Sequence, residues 1–149
     1  MPTQKLQLLL ADDDSDDCIF FREALDELPV STALMVVSDG VELMQLLESI
    51  PDPFPDMLFL DLNMPRKTGF ECLPEIKGDK RFMHLPVIVY STSYDKKVAD
   101  QLYKNGAAYY IRKPADFADL KAAILRSIEL TAEKNGVQPL IEEDRKSVV

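Results

Sequence analysis

The feature that most constrains the fold is a strict alternation of short apolar runs with segments of helical periodicity. Each of the five apolar runs is followed by a stretch that carries apolar side chains at helical spacing. Continuous apolar runs are typical of strands that are buried on both faces of a parallel sheet. Five strand–helix pairs in strict order therefore predict an α/β fold with a doubly wound parallel sheet. The strands are expected at Leu6–Ala11, Thr32–Val37, Met57–Leu60, Val87–Tyr90 and Tyr109–Ile111.

The predicted helices are bounded by residues that favour helix starts and stops. Pro29 ends the first helix, Gly106 ends the fourth, and Asp116 caps the last. Pro74 falls inside the third helix, where a proline loses one hydrogen bond and clashes with the preceding turn, at a cost of about 3 kcal/mol unless the helix is shifted or kinked. The helices are expected at Ser15–Leu28, from Ser38 or Asp39 to Ile50, at Gly69–Lys77, at Tyr94–Asn105 and from Asp116 to about Leu130.

Composition argues against several classes of function. The chain has 149 residues, of which 46% are hydrophobic, and a formal net charge of −9. This size and composition suit one folded domain, and the acidic balance argues against nucleic acid or an anionic membrane as a partner, because both require a basic face. The start of the chain lacks a signal-peptide pattern, and no apolar run approaches the roughly 20 residues of a membrane span, so we expect a cytoplasmic protein. Cys18 and Cys72 are far apart and are expected to be reduced thiols.

Polar residues gather where the predicted strands end. Asp12-Asp13-Asp14 follows the first strand, Asp61 the third, Ser91-Thr92 the fourth and Arg112-Lys113-Pro114 the fifth. In open α/β sheets the ligand site lies outside the carboxyl ends of the strands. The topology therefore predicts that these acids, the hydroxyl groups and the lysine meet at one edge of the sheet.

This edge has the groups needed for phosphoryl transfer. Neighbouring carboxylates repel one another unless a cation lies among them, and ligands that are all oxygen atoms suit a hard ion such as Mg²⁺. A carboxylate beside the ion can attack phosphorus, while a lysine and a hydroxyl group stabilise the transferred oxygens. Taken singly, the residues have simpler roles. Asp14, Asp16 and Asp17 suit the start of a helix, Ser91 could cap one, and Lys113 could be an ordinary solvated lysine.

Four segments carry a resemblance to a known family. They are LLLADDD, LFLDLNMPRKTGFE, PVIVYSTS and AAYYIRKPAD, and with the five-unit alternation they cover about residues 5–130. The chain resembles the receiver domains of two-component response regulators, and in particular small single-domain regulators, including those that serve phytochrome-like kinases. The resemblance implies a flavodoxin-like sheet with the strand order 2-1-3-4-5 and five helices. We expect a receiver domain at 5–130, followed by a C-terminal tail at 131–149 without an output domain.

The resemblance also implies a role for each residue at the edge of the sheet. Asp61 would be the phosphoacceptor, Lys113 would pair with the phosphoryl group, and Ser91 and Tyr110 would form the switch. The peptide bond between Lys113 and Pro114 would be cis. The expected Mg²⁺ ligands are Asp13 and Asp61 directly, Asp12 largely through bound water, and the backbone carbonyl of Asn63.

The resulting functional hypothesis is a signalling switch rather than an enzyme. It would take a phosphoryl group from a sensor histidine kinase or a histidine phosphotransfer protein and act through a downstream protein target, with a homodimer also allowed. A haloacid-dehalogenase-type phosphatase is the enzymatic alternative, but it needs a second acid where this chain has Asn63. The other alternative is a pseudo-receiver, an interaction module that is never phosphorylated.

Overall fold

Strands and helices alternate five times in the computed structural model, which describes residues 5–51 and 53–134. The strands are β1 (Leu6–Ala11), β2 (Thr32–Val37), β3 (Met57–Leu60), β4 (Val87–Ser91) and β5 (Tyr109–Arg112). The helices are α1 (Ser15–Asp26), α2 (Gly40–Ser49), α3 (Gly69–Lys77), α4 (Lys96–Lys104) and α5 (Phe117–Lys134). All strand pairs are parallel, and their order is β2-β1-β3-β4-β5, which confirms the expected flavodoxin-like, doubly wound fold.

The core lies in two layers, one on each face of the sheet. Successive side chains of a strand point to opposite faces, so a continuous apolar run supplies both layers. In β1, Leu8 and Leu10 pack with the buried residues of α1 and α5, whereas Leu9 and Ala11 pack with those of α2, α3 and α4. This alternation determines which helices meet the side chains that follow each strand.

The sheet register aligns the strand ends that bear the polar residues. Ala11 of β1 lies opposite Leu60 of β3, and Leu60 lies opposite Val89 of β4. Ser91 of β4 lies opposite Arg112 of β5. The residues after Ala11 and Leu60 therefore emerge side by side at the carboxyl edge of the sheet.

The structure moves several of the expected boundaries by a few residues. β4 and β5 each extend one residue further than expected, because Ser91 and Arg112 are still paired in the sheet. α1 ends earlier, at Asp26, and α4 is shorter, since it begins after its N-cap Asp95. α5 continues to Lys134 rather than ending near Leu130. The rest of the expected tail lies outside the described residues.

Pro74 does not shorten α3, whose bounds agree with the sequence prediction. A capping box between Thr68 and Glu71 fixes the start of this helix, and Cys72, Leu73 and Ile76 are buried. Pro74 cannot donate to the carbonyl group of the residue four positions earlier, and both residues are exposed. Among the described residues, no helix is long and apolar enough to cross a membrane.

Candidate functional site

Asp12 and Asp61 lie side by side at the carboxyl edge of the sheet, and both are buried. The amide of Asp61 donates to the carbonyl oxygen of Ala11 at 2.9 Å, which continues the pairing of β1 with β3. Asp13, the next residue along, is exposed. One carboxylate oxygen from each of Asp12, Asp13 and Asp61 lies within 4.8 Å of the others. The acids expected to hold a cation are therefore together.

The backbone around Asp61 is tightly packed. Its Oδ1 accepts a hydrogen bond from the amide of Leu62 at 2.8 Å, and the amide of Gly69 donates to the carbonyl oxygen of Leu62 at 3.0 Å. A Cβ atom at Gly69 would lie 2.3 Å from the carbonyl oxygen of Asp61. The start of α3 can approach the loop after β3 this closely only because residue 69 has no side chain.

Lys113 reaches into the same cluster from the end of β5. Its Nζ lies 2.8 Å from Oδ2 of Asp12, 2.8 Å from Oδ2 of Asp17 and 3.6 Å from Oδ2 of Asp61. Its backbone amide donates to the carbonyl oxygen of Ser91 at 2.7 Å, which ties the end of β5 to that of β4. The structure therefore brings the predicted lysine to the predicted acids, while the cis form of its bond to Pro114 stays a prediction.

The charges in this cluster are not balanced. Burial raises the pKa of the Asp61 carboxyl group to about 6, and the neighbouring Asp12 adds to the rise, while Lys113 opposes it. Burial also raises the pKa of Asp12 against the lowering effect of Lys113. Burial alone would lower the pKa of Lys113, but its pairing with Asp12 and Asp17 raises it, so the lysine stays charged. One cation thus faces several acids, and the site retains an excess of negative charge.

This donor set fits a hard divalent cation. Carboxylate oxygens from three residues lie close enough to share an ion, and burial raises the pKa values of Asp12 and Asp61, so a bound cation would favour their ionised forms. Asn63, whose backbone carbonyl is an expected ligand, follows Asp61 by two positions in the loop before α3 and is exposed. The roles of the single ligands stay predictions.

The expected switch residues lie on the other face of the sheet. By strand alternation, Asp12, Asp61 and Lys113 are in step with the residues that face α1 and α5, whereas Ser91 and Tyr110 are in step with those that face α3 and α4. Ser91 is fully buried at the end of β4. Ser91 and Tyr110 therefore approach the charged cluster from the α3 and α4 side, at the ends of β4 and β5.

Tyr110 is buried and held by the loop between β4 and α4. Its hydroxyl group donates to the backbone carbonyl of Ser93, and its ring packs edge-on against Tyr94 with 5.3 Å between the ring centroids. The amide of Ser93 also points to the hydroxyl oxygen of Ser91, at 3.5 Å. One loop residue thus contacts both members of the expected switch.

Sequence reasoning missed the place of Asp17 in this cluster. Asp14 caps α1 and accepts hydrogen bonds from the amides of Asp16 and Asp17, which confirms the capping expected of it. Asp17 lies in the first turn of the helix, as expected, but its carboxylate also accepts a hydrogen bond from Lys113. The available signal was positional, because α1 begins directly after the acids that follow β1.

Comparisons with known proteins point to one protein family. Residues 8–125 match the family described as the response regulator receiver domain. Response regulator Rcp1 of Synechocystis sp. is 30% identical over 117 residues, which are 76% of this chain and 80% of Rcp1. The phosphorylated cyanobacterial phytochrome response regulator RcpA has a TM-score of 0.74 at 33% identity, covering 85% of this chain and 92% of RcpA. The Mn²⁺-bound form of Rcp1 has a TM-score of 0.71 at 25% identity, covering 93% of this chain and 99% of the Rcp1 chain.

Proposed function

Because this chain belongs to the family of response regulator receiver domains, we propose that it is a phosphorylation switch whose phosphoacceptor is Asp61. The observation that carries the proposal is the single cluster formed by Asp61, Asp12, Asp13 and Lys113 at the carboxyl edge of the sheet. The cluster would supply a carboxylate nucleophile, acids for a cation and a lysine for the phosphoryl oxygens.

The proposed reaction transfers a phosphoryl group from a phosphohistidine to Asp61. An oxygen of the Asp61 carboxylate forms a bond to phosphorus, the P–N bond of the donor breaks, and the histidine nitrogen keeps the electron pair. The product is an acyl phosphate on Asp61. Asp61 must be ionised to attack, and a pKa of about 6 leaves it mostly ionised at neutral pH. The protein catalyses only this transfer to itself and its later hydrolysis.

Asp12, Asp13 and Asp61 would hold the divalent cation that receiver domains bind, with the backbone carbonyl of Asn63 as a further ligand. We propose Mg²⁺, which would neutralise the carboxylates and the phosphoryl oxygens when bound. The Mn²⁺-bound structure of the relative Rcp1 supports a divalent ion, as does the donor set of this chain. Lys113 supplies positive charge from the side of α1 and α5.

The two alternative functions lack support at the residue level. A pseudo-receiver is expected to have lost the acceptor, the acid pair or the lysine, whereas all of these are present here and close together. A haloacid-dehalogenase-type phosphatase requires a general acid two residues after the nucleophile, and the amide side chain of Asn63 cannot donate a proton in that role.

The proposed partners follow from the family. The donor is a sensor histidine kinase or a histidine phosphotransfer protein, and the similarity to RcpA and Rcp1 favours a phytochrome-like kinase. The output is contact with a downstream protein target, through the surface that Ser91 and Tyr110 reshape. A homodimer, the absence of nucleic acid and membrane partners, and a cytoplasmic location stay predictions.

Acetyl phosphate provides a direct test. Wild-type protein with this phosphodonor and MgCl₂ should gain one phosphoryl group by intact mass, and chelation of the cation should abolish the gain. Asp61→Asn should not be labelled, whereas Asp16→Asn, which removes an exposed acid from the first turn of α1, should be labelled like the wild type. Full labelling of Asp61→Asn would reassign the acceptor, and an unlabelled wild type would favour the pseudo-receiver.

A further inference from the structure

Lys113 has a partner outside the group of acids that fits a cation. Oδ2 of Asp17 accepts a hydrogen bond from Nζ of Lys113 at 2.8 Å, as short as the ion pair between Lys113 and Asp12. Asp17 is not one of the three acids whose oxygens lie within 4.8 Å of one another. Its side chain is 32% exposed, against 8% for that of Lys113, so it contacts the lysine from the solvent side.

The position of Asp17 is determined by the fold. Lys113 extends from β5 on the face covered by α1 and α5, and Asp17 lies in the first turn of α1. The side chain of Asp14 holds the amide of Asp17 at 3.1 Å, which fixes the backbone that carries the carboxylate. This acid is therefore placed beside the lysine by a capped helix and not by a mobile loop.

We propose that Asp17 is a positioning residue that holds Lys113 ready for the phosphoryl group on Asp61. This inference rests on the proposed function. A lysine ammonium group has three hydrogen-bond donors, and the two short contacts with Asp12 and Asp17 can use two of them. The third is free for Asp61, whose Oδ2 is 3.6 Å away, too far for a direct bond but within reach of oxygens added to it.

Asp17 matters most when a cation occupies the acid cluster. A cation held by the acid cluster would compete with Lys113 for the Asp12 carboxylate, which now pairs with the lysine at 2.8 Å. Asp17 lies outside the cluster, so its carboxylate would stay available to Lys113 with an ion bound. The lysine then keeps one fixed anchor while its remaining donors turn to the phosphoryl oxygens, which is the preorganisation that stabilises developing charge.

The test compares phosphoryl uptake by Asp17→Asn and by Asp16→Asn. Both variants remove one charge from the first turn of α1, but only Asp17 pairs with Lys113. At saturating Mg²⁺, we expect uptake from acetyl phosphate to slow about three- to tenfold in Asp17→Asn, the range for a partly exposed, charge-assisted pair. Asp16→Asn should stay within about twofold of the wild type, on the scale of an exposed charge. Asp17→Glu should restore part of the rate.

Three further readouts separate positioning from a general structural role. Mg²⁺ affinity, measured by calorimetry, and the thermal midpoint should be the same in Asp17→Asn and Asp16→Asn. In a Lys113→Met background, adding Asp17→Asn should slow uptake no further, because Asp17 acts through the lysine. The inference would be overturned if Asp17→Asn took up the phosphoryl group at or above the wild-type rate. It would also be overturned if Asp17→Asn slowed uptake equally in the wild-type and Lys113→Met backgrounds. An unlabelled wild type would count instead against the proposed function.

Discussion

Nζ of Lys113 and Oδ2 of Asp61 lie 3.6 Å apart, although the two side chains are only 8% and 7% exposed. This is an ion-pair distance rather than a hydrogen bond, so Lys113 offsets the charge of Asp61 without blocking its oxygen. The shorter contacts of the lysine go to Asp12 and Asp17. The arrangement keeps the ammonium group of Lys113 close to Oδ2 of Asp61 without a hydrogen bond between them.

Lys113→Met should destabilise the metal-free protein. The variant keeps the apolar part of the side chain but leaves Asp12 and Asp61 without their cation, and breaking such a pair by removing one partner is strongly unfavourable. We expect a loss of about 2–3 kcal/mol at pH 7 in urea unfolding, below the range for a fully buried pair because the site lies at the edge of the sheet. The loss should shrink at pH 5, where Asp61 is protonated.

A matched control exists on the same face of the protein. Lys121 pairs with Glu27 at 3.0 Å, but both side chains are much more exposed than that of Lys113. Lys121→Met should therefore change stability by less than about 1 kcal/mol at either pH. Addition of Mg²⁺ should recover part of the stability of Lys113→Met and none in the control. Equal losses in the two variants would mean that Lys113 does not compensate the buried acids.

Mg²⁺ affinity should fall as the pH drops through about 6. Burial raises the pKa of Asp61 to about 6, so the acid takes up a proton below that value, and a protonated carboxyl group is a poor ligand. Mg²⁺ affinity therefore rises with pH, since binding needs the ionised form of Asp61, which is present above pH 6 and lost below it. Linkage to one proton predicts a loss of about tenfold per pH unit below the pKa. Calorimetry between pH 5 and 8 measures this slope.

Two variants assign this pH dependence to a residue. Asp61→Asn should bind Mg²⁺ more weakly and lose most of the slope near pH 6. Asp13→Asn should also bind more weakly but keep the slope, because Asp61 still titrates. Binding by Asp13→Asn equal to that of the wild type would remove Asp13 from the set of ligands.

The strands could be predicted closely because their ends coincide with a change from apolar to polar residues. β1, β2 and β3 have the expected bounds, and the one-residue errors in β4 and β5 come from Ser91 and Arg112, polar residues that remain paired in the sheet. α5 was harder to bound, because polar Thr131 lies buried beyond the expected end. Side-chain chemistry alone does not reveal such tertiary burial.

The sequence was sufficient to predict which residues form the site, but not all of the contacts among them. Topology was sufficient to bring Asp12, Asp13, Asp61 and Lys113 to one edge, since parallel strands share their carboxyl ends. The pairing of Lys113 with Asp17 depends on how α1 packs over the end of β5, and an acid in a first helical turn already has an explanation in the helix dipole. The pairing of Asp17 with Lys113 can be recognised only from the distance between the two side chains in the structure.

Gly69→Ala should disrupt the loop that carries Asp61. The new Cβ would lie 2.3 Å from the carbonyl oxygen of Asp61, a backbone atom that cannot turn away, so the loop itself must shift. We expect a loss of about 2–3 kcal/mol, as for other overpacked sites, together with weaker Mg²⁺ binding. Gly78→Ala is the control, because Gly78 has an ordinary φ of −87° and its Cβ would meet only the Pro74 carbonyl oxygen, at 3.0 Å.

The Gly78→Ala control shows whether the loss comes from the close contact at position 69 or from replacing any glycine with alanine. Gly78→Ala should change stability by less than about 1 kcal/mol and leave Mg²⁺ affinity unchanged. Unaltered Mg²⁺ binding in Gly69→Ala would show that the loop after β3 can move without disturbing the acid cluster.

Ser91→Ala should uncouple phosphorylation of Asp61 from the structural response of α4 and β5. Tyr110 is buried, and its hydroxyl group donates to the carbonyl group of Ser93, so the ring is held inward in this structure. We therefore expect a phosphoryl group on Asp61 to shift the population toward this arrangement, through a hydrogen bond from Ser91 that draws the loop inward. The variant should accept the phosphoryl group but respond poorly, because the hydrogen bond that draws the loop inward is lost.

Amide NMR of the beryllofluoride-activated protein tests this relay. In the wild type, we expect shift changes around Asp61 and across Tyr94–Ile111, whereas in Ser91→Ala they should stay near Asp61. Ser93→Ala is the matched control, since it removes an exposed hydroxyl group two residues away but keeps the carbonyl group that accepts from Tyr110. It should therefore respond like the wild type. Wild-type changes confined to the neighbourhood of Asp61 would show that the signal does not pass through Ser91 and Tyr110 to α4 and β5.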